Sequence, residues 1–154
     1  MNFKEKHKVI EGRKINDWIK VGEKVFASFY NLGVQQRWNL FDIQYEEETA
    51  AIISLVTQNK DWLESFISLY PNLRMNLDLV CSAADICTTR SGIEVLLRGF
   101  VNIDPQFNNI LADLESMSEV DEFDRVLKIW IDTGHRPDNF CVDSTIPHTH
   151  WWWF

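Results

Sequence analysis

Four histidines and three cysteines are the side chains best suited to metal or nucleophilic chemistry in this sequence. Cys141, His148 and His150, with His135 upstream, are the right ligand types for zinc. Their spacing matches no tight zinc motif, and alternate residues of an extended segment, such as His148 and His150, point to opposite sides. Structural or solvent-facing histidines are the favoured reading, so no metal is expected. Cys81 and Cys87 stand six apart, too far for one helical turn, and buried, inert thiols are favoured over a redox pair. An odd cysteine count argues against a disulfide framework and agrees with a reducing compartment. The sequence contains no G-x-G-x-x-G, no phosphate-cradling P-loop, no G-x-S-x-G elbow and no H-E-x-x-H. No cofactor and no catalytic constellation are expected.

Carboxylates are the remaining reactive class. Asp42, Glu46, Glu47 and Glu48 gather at a helix start, where acids serve the macrodipole more often than catalysis. In "ESMSEVDEFD", Asp121 lies four before Arg125 and Asp124 four before Lys128, the favourable order for intrahelical pairs. Asp113, Glu115, Glu119 and Glu122 have no basic neighbour at that spacing. An unneutralised ridge costs self-repulsion, so these acids either solvate a face or meet a basic partner. Glu46, Glu47 and Glu48 form the second candidate contact surface. Residues 101–154 carry three Lys/Arg against ten Asp/Glu, whereas residues 1–24 carry seven against four, within a net charge of −8. Such an imbalance repels phosphate backbones. Nucleic acid is a poor ligand for this chain; a basic protein is a better one.

The elements that position these groups read at helical period. Ile15, Trp18, Ile19, Gly22, Val25, Phe26, Phe29 and Tyr30 make one apolar stripe on a helix over 13–31, which Asn31 and Gly33 stop. A second helix runs to Asn59. Asp61 and Glu64 have capping-box spacing before a third, which Pro71 ends or kinks. "NLRMNLDLVCSAADI" is a further helical stretch, and Ser91 with Glu94 repeats the capping-box spacing before "IEVLLRGF". Asp104-Pro105 starts the next helix, with Phe107, Ile110, Leu111 and Leu114 as its stripe. Ser116 and Glu119 precede the last, in which Val120, Phe123, Val126, Leu127, Trp130 and Ile131 face inward until Gly134 and Pro137 terminate it. No alternating run supports a sheet. The expectation is an all-α, single-domain bundle of about seven helices over 1–154, with an ordered, Trp-rich tail. Apolar residues are 45% of the chain, no apolar run is long enough to span a bilayer, and no signal peptide is legible at "MNFKEKHKVIEGRK". A cytoplasmic location is expected.

The tail "PHTHWWWF" places three tryptophans in a row. Leaving all of them exposed would invite aggregation, so packing on the chain's own helices is favoured over a partner site. In an extended segment Trp151 and Trp153 share one face and Trp152 opposes them.

The stretches "ADICTTRSGIEVLLRGFVNIDPQFNNILADL" and "VLKIWIDTGHRPD", with the ending "IPHTHWWW", resemble one family of immunity proteins from bacterial contact-dependent growth inhibition systems. The resemblance runs from about Trp18 to Trp153. It implies a small cytoplasmic protein that binds a cognate toxin C-terminal domain one-to-one and blocks it. The toxin it implies is a basic ribonuclease, of a kind similar to the pancreatic type. The resemblance carries no contact residue onto particular positions of this sequence. Two other readings remain: a small helical metal-dependent hydrolase using His135, His148 and His150, and an acidic helical adaptor for another basic protein.

Overall fold

The computed structural model describes residues 13–39, 46–76, 83–100, 105–117, 120–135, 137 and 142–154. Within them the chain is all-helical: α1 (Arg13–Gln35), α2 (Glu46–Gln58), α3 (Lys60–Asn76), α4 (Ala83–Gly99), α5 (Pro105–Met117) and α6 (Val120–Asp132). A 3-10 turn at Trp151–Trp153 follows. Six α-helices and this turn stand where about seven helices were expected. No described helix is long and apolar enough to cross a membrane.

The arrangement is organised by α4. From Ile86 to Gly99 almost every side chain is buried, which marks a helix enclosed by neighbours rather than lying on a surface. It packs mainly on α1 and also touches α5 and the 3-10 turn, while α3 packs against α6. The α1–α4 crossing is close because Gly92 has no side chain: a Cβ there would collide with the Phe26 carbonyl of α1. Around this contact Ile19, Phe26 and Phe29 of α1 join Phe66 and Tyr70 of α3 and Leu111 and Phe123 of α5 and α6 in one apolar core. Phe66 stacks between Phe26 and Tyr70, with centroids 5.5 and 4.8 Å away. Tyr70 is fully enclosed; its hydroxyl donates to Glu23 Oε2 at 2.6 Å, and Arg74 Nε donates to the same oxygen at 3.1 Å.

Several element boundaries differ from the sequence expectation. Asn31 and Gly33 do not stop α1, which continues to Gln35; the Trp38 ring folds back against Gly33, where a Cβ would lie 2.6 Å away. The turn after it holds Arg37 and Trp38 at positive φ (49° and 63°), a strained conformation for an indole-bearing residue. Pro71 neither ends nor precedes a break in α3, which runs on to Asn76. The ring deletes one ladder bond, which burial in the core outweighs. Asp61 is no cap: a single residue, Asn59, separates α2 from α3, accepting from Leu63 N–H at 2.9 Å while donating to Leu55 at 3.1 Å. Ser91 and Glu94 do not start a helix either; they lie mid-α4. The Pro105 start and the Gly134 stop (φ +98°) are as expected.

Candidate functional site

Of the acids expected to lack basic neighbours, three have them. Asp113 Oδ2 accepts from Lys60 Nζ at 3.1 Å, Glu115 accepts from both terminal nitrogens of Arg98, and Glu122 accepts from Arg125 Nε at 2.7 Å. Lys60 and Arg98 belong to α3 and α4, so a count along one helix cannot find them. The intrahelical pairs expected for Asp121 and Asp124 are also replaced. Arg125 turns to Glu122, and Asp124 binds Arg90 of α4. Asp121 is exposed and has no partner among the described residues. Glu119 lies outside the described residues. Glu46, Glu47 and Glu48 form the first turn of α2, and their side chains lie outside the described part. The hydrogen bond from Arg125 holds the Glu122 carboxyl below its ordinary pKa, and the bond to Asp113 raises that of Lys60. These pairs sit in solvent, so each adds little to stability.

The tail is docked, though not with the expected alternation. Trp152 and Trp153 are both buried at 3% exposure, and Trp151 is 38% exposed. A 3-10 turn advances about 120° per residue, which lets adjacent rings share a side as an extended strand does not. Both buried indoles converge on Ser91: Trp152 Nε1 donates to its Oγ at 2.9 Å and Trp153 Nε1 at 2.8 Å. His150 Nδ1 lies 2.9 Å from the same oxygen. A hydroxyl offers two lone pairs and one proton. The indoles, which only donate, occupy both lone pairs, so Ser91 donates its proton to Nδ1. His150 is thereby fixed as the neutral Nε2–H tautomer. Burial lowers its pKa to about 4; Glu94 opposes the shift and Arg90 adds to it.

Arg90 completes this cluster. Its guanidinium carbon lies 4.5 Å from the Trp152 ring centroid, its Nε and Nη2 bind Asp124 at 2.6 and 3.0 Å, and Nη1 meets Glu94 at 2.7 Å. Burial works against the charge, and the two carboxylates outweigh it. The Cys87 thiol donates to the Trp152 carbonyl at 3.2 Å. The arrangement is a clamp that fixes the tail to α4 and α6. Its serine is sealed beneath two indoles and offers no lone pair for attack on a substrate.

The outer side of the tail forms an open cleft of about 450 Å3, lined among others by Pro137, Asp143, Ile146, His148, Trp153 and Phe154. Asp143 accepts both the backbone N–H (2.8 Å) and the hydroxyl of Thr145 on one oxygen, Oδ1. Thr145 in turn accepts from Trp38 Nε1 at 3.1 Å, tying the cleft to the strained turn after α1. His148 stacks on Phe154 at 4.8 Å, and His135 on Trp130 at 4.6 Å. The histidines are thus dispersed: His150 faces the core while His148 and His135 lie on separate aromatic rings. Among the described residues no three His, Cys, Asp or Glu stand close enough to hold a metal. Cys81 and Cys141 lie outside the described residues.

No protein-family model, curated protein or solved structure matches the chain. The site is therefore read from its own geometry. Arg90, Ser91 and Asp143 were not singled out as partners of these groups in the sequence. The legible signal for the first two was a polar run, "TTRS", between the apolar stretches "LVCSAADI" and "IEVLL". Asp143 had no signal beyond its place in the acidic half.

Proposed function

We propose that this chain is an immunity-type protein that neutralises a cognate toxin domain, a basic nuclease, by covering its active-site cleft one-to-one. The observation that carries the reading is the acid surplus of residues 101–154, ten against three, of which Asp113, Glu115 and Glu122 lie on α5 and α6 in solvent-exposed pairs. A desolvated partner lysine or arginine can replace Lys60, Arg98 or Arg125 at such a carboxylate at little cost, because the exposed pairs it displaces are weak. A phosphate-binding cleft presents such cations in the spacing of an anionic chain. An acidic helical surface can occupy the cleft in place of RNA. The resemblance of the segments around α4, α5 and the tail to immunity proteins points the same way.

The test is titration calorimetry against the toxin domain encoded by the neighbouring gene. One-to-one binding is expected, with an association rate that falls steeply as salt rises. Absence of heat at micromolar concentrations of both proteins overturns the proposal. The same measurement against an unrelated basic protein separates a dedicated inhibitor from a general acidic adaptor.

A further inference from the structure

The cleft beside the tail has the chemistry of a receptor for one planar cation. We infer that it receives an arginine side chain of the basic partner, an inference that rests on the proposed toxin-neutralising function. Three observations support this occupant. Both bonds from Thr145 fall on Oδ1 of Asp143, so Oδ2 has no partner among the described residues and retains its acceptor capacity at the cleft. Part of the wall is aromatic: Trp153 lines the cleft, and Phe154, 49% exposed, is stacked on His148 with 29° between the rings. Among the described lining residues no lysine or arginine competes for that carboxylate.

A guanidinium suits this combination better than other ligands. It lies flat against an aromatic face while its edge donates to a carboxylate, and it sheds water more readily than an ammonium. An apolar ligand would bury the Asp143 carboxylate without a partner, which is costly. An anion would meet the same carboxylate and be repelled by it. The volume of about 450 Å3 admits one long side chain with accompanying water.

Two measurements on the full chain test this. In the first, N-acetyl-arginine methylamide is titrated while the indole N–H and aromatic resonances are followed by NMR, with the leucine analogue as control. Saturable shifts at Trp153 and Phe154 are expected with the arginine compound only. D143N should weaken them at least fivefold, since it keeps the Oδ1 acceptor for Thr145 and removes only the charge. In the second, D143N and F154A are titrated against the toxin domain, with thermal melts confirming that each is folded. Both should raise Kd tenfold or more, chiefly through faster dissociation. Absence of saturable arginine shifts, or toxin affinity within twofold of the parent in both variants, overturns the inference. Toxin binding that persists unchanged in these variants leaves the neutralising function standing. Arginine shifts without any toxin binding would instead overturn that function and leave the cleft as a cation site.

Discussion

At the residue scale, Ser91 is the side chain on which most depends. It accepts from two indoles, donates to an imidazole and is fully buried, so its hydroxyl satisfies three polar groups that have no access to water. S91A leaves these groups unpaired and should lower stability by about 3 kcal/mol, measured by urea denaturation. His150 adds a pH dependence of defined sign. Its pKa is about 4 in the folded protein against 6.5 ordinarily, so between these values the unfolded chain takes up a proton that the folded chain refuses. Stability should therefore be flat above pH 6.5 with respect to this group and fall as pH drops toward 4. Solvent screening keeps the slope below the ~1.4 kcal/mol per pH unit of one fully withheld proton. Melts of the parent and H150N across this range check it: the variant should lose the slope. The sequence disclosed the docking of the tail through the size of its tryptophans, yet not its anchor. A serine three before a glutamate has the signature of a helix cap, and only the neighbours on other elements show that Ser91 is a core acceptor.

At the scale of elements, legibility followed amphipathicity. α1 and α6 each bury one side, and their stripes, from Ile19 to Phe29 and from Val120 to Ile131, were readable from period alone. α4 is buried along most of its length, so its few polar positions set no clear period, and Ser91 has the sequence signature of a helix start although it lies inside the helix. Pro71 and Gly33 are breakers by propensity, but tertiary packing overrides both. The α1–α4 crossing gives the element-scale prediction. In G92A the new methyl meets the Phe26 carbonyl, which belongs to the backbone and cannot rotate away. The helices must separate, and the substitution should cost about 1–3 kcal/mol despite alanine's better helix propensity. A thermal melt as high as the parent's would show that α1 can shift without loss.

At the scale of the whole molecule, the charge distribution concerns encounter more than cohesion. Glu115 and Glu122 are exposed and pair with Arg98 and Arg125 at the surface. The double reversal E115K/E122K should leave the melting temperature within about 2 °C of the parent, as surface changes of this kind do. It should slow association with the toxin domain and flatten its salt dependence, seen by stopped-flow at two ionic strengths. An unchanged association rate would make this ridge a solvated face and move the search to Glu46, Glu47 and Glu48. The sequence displayed the surplus but not its neutralisation, because Lys60 and Arg98 approach through space rather than along the helix. The clamp at Ser91 also bears on how fast the protein forms and how long it lasts. Its hydrogen bonds join positions 59 to 62 residues apart, a long loop to close before any stabilisation is returned. Refolding should accordingly be slow for an all-helical chain, with tryptophan fluorescence changing last as the indoles reach Arg90. Contacts made that late protect against unfolding rather than speed folding. S91A should then open faster than the parent while refolding at nearly the same rate, so the clamp sets the protein's lifetime in the folded state.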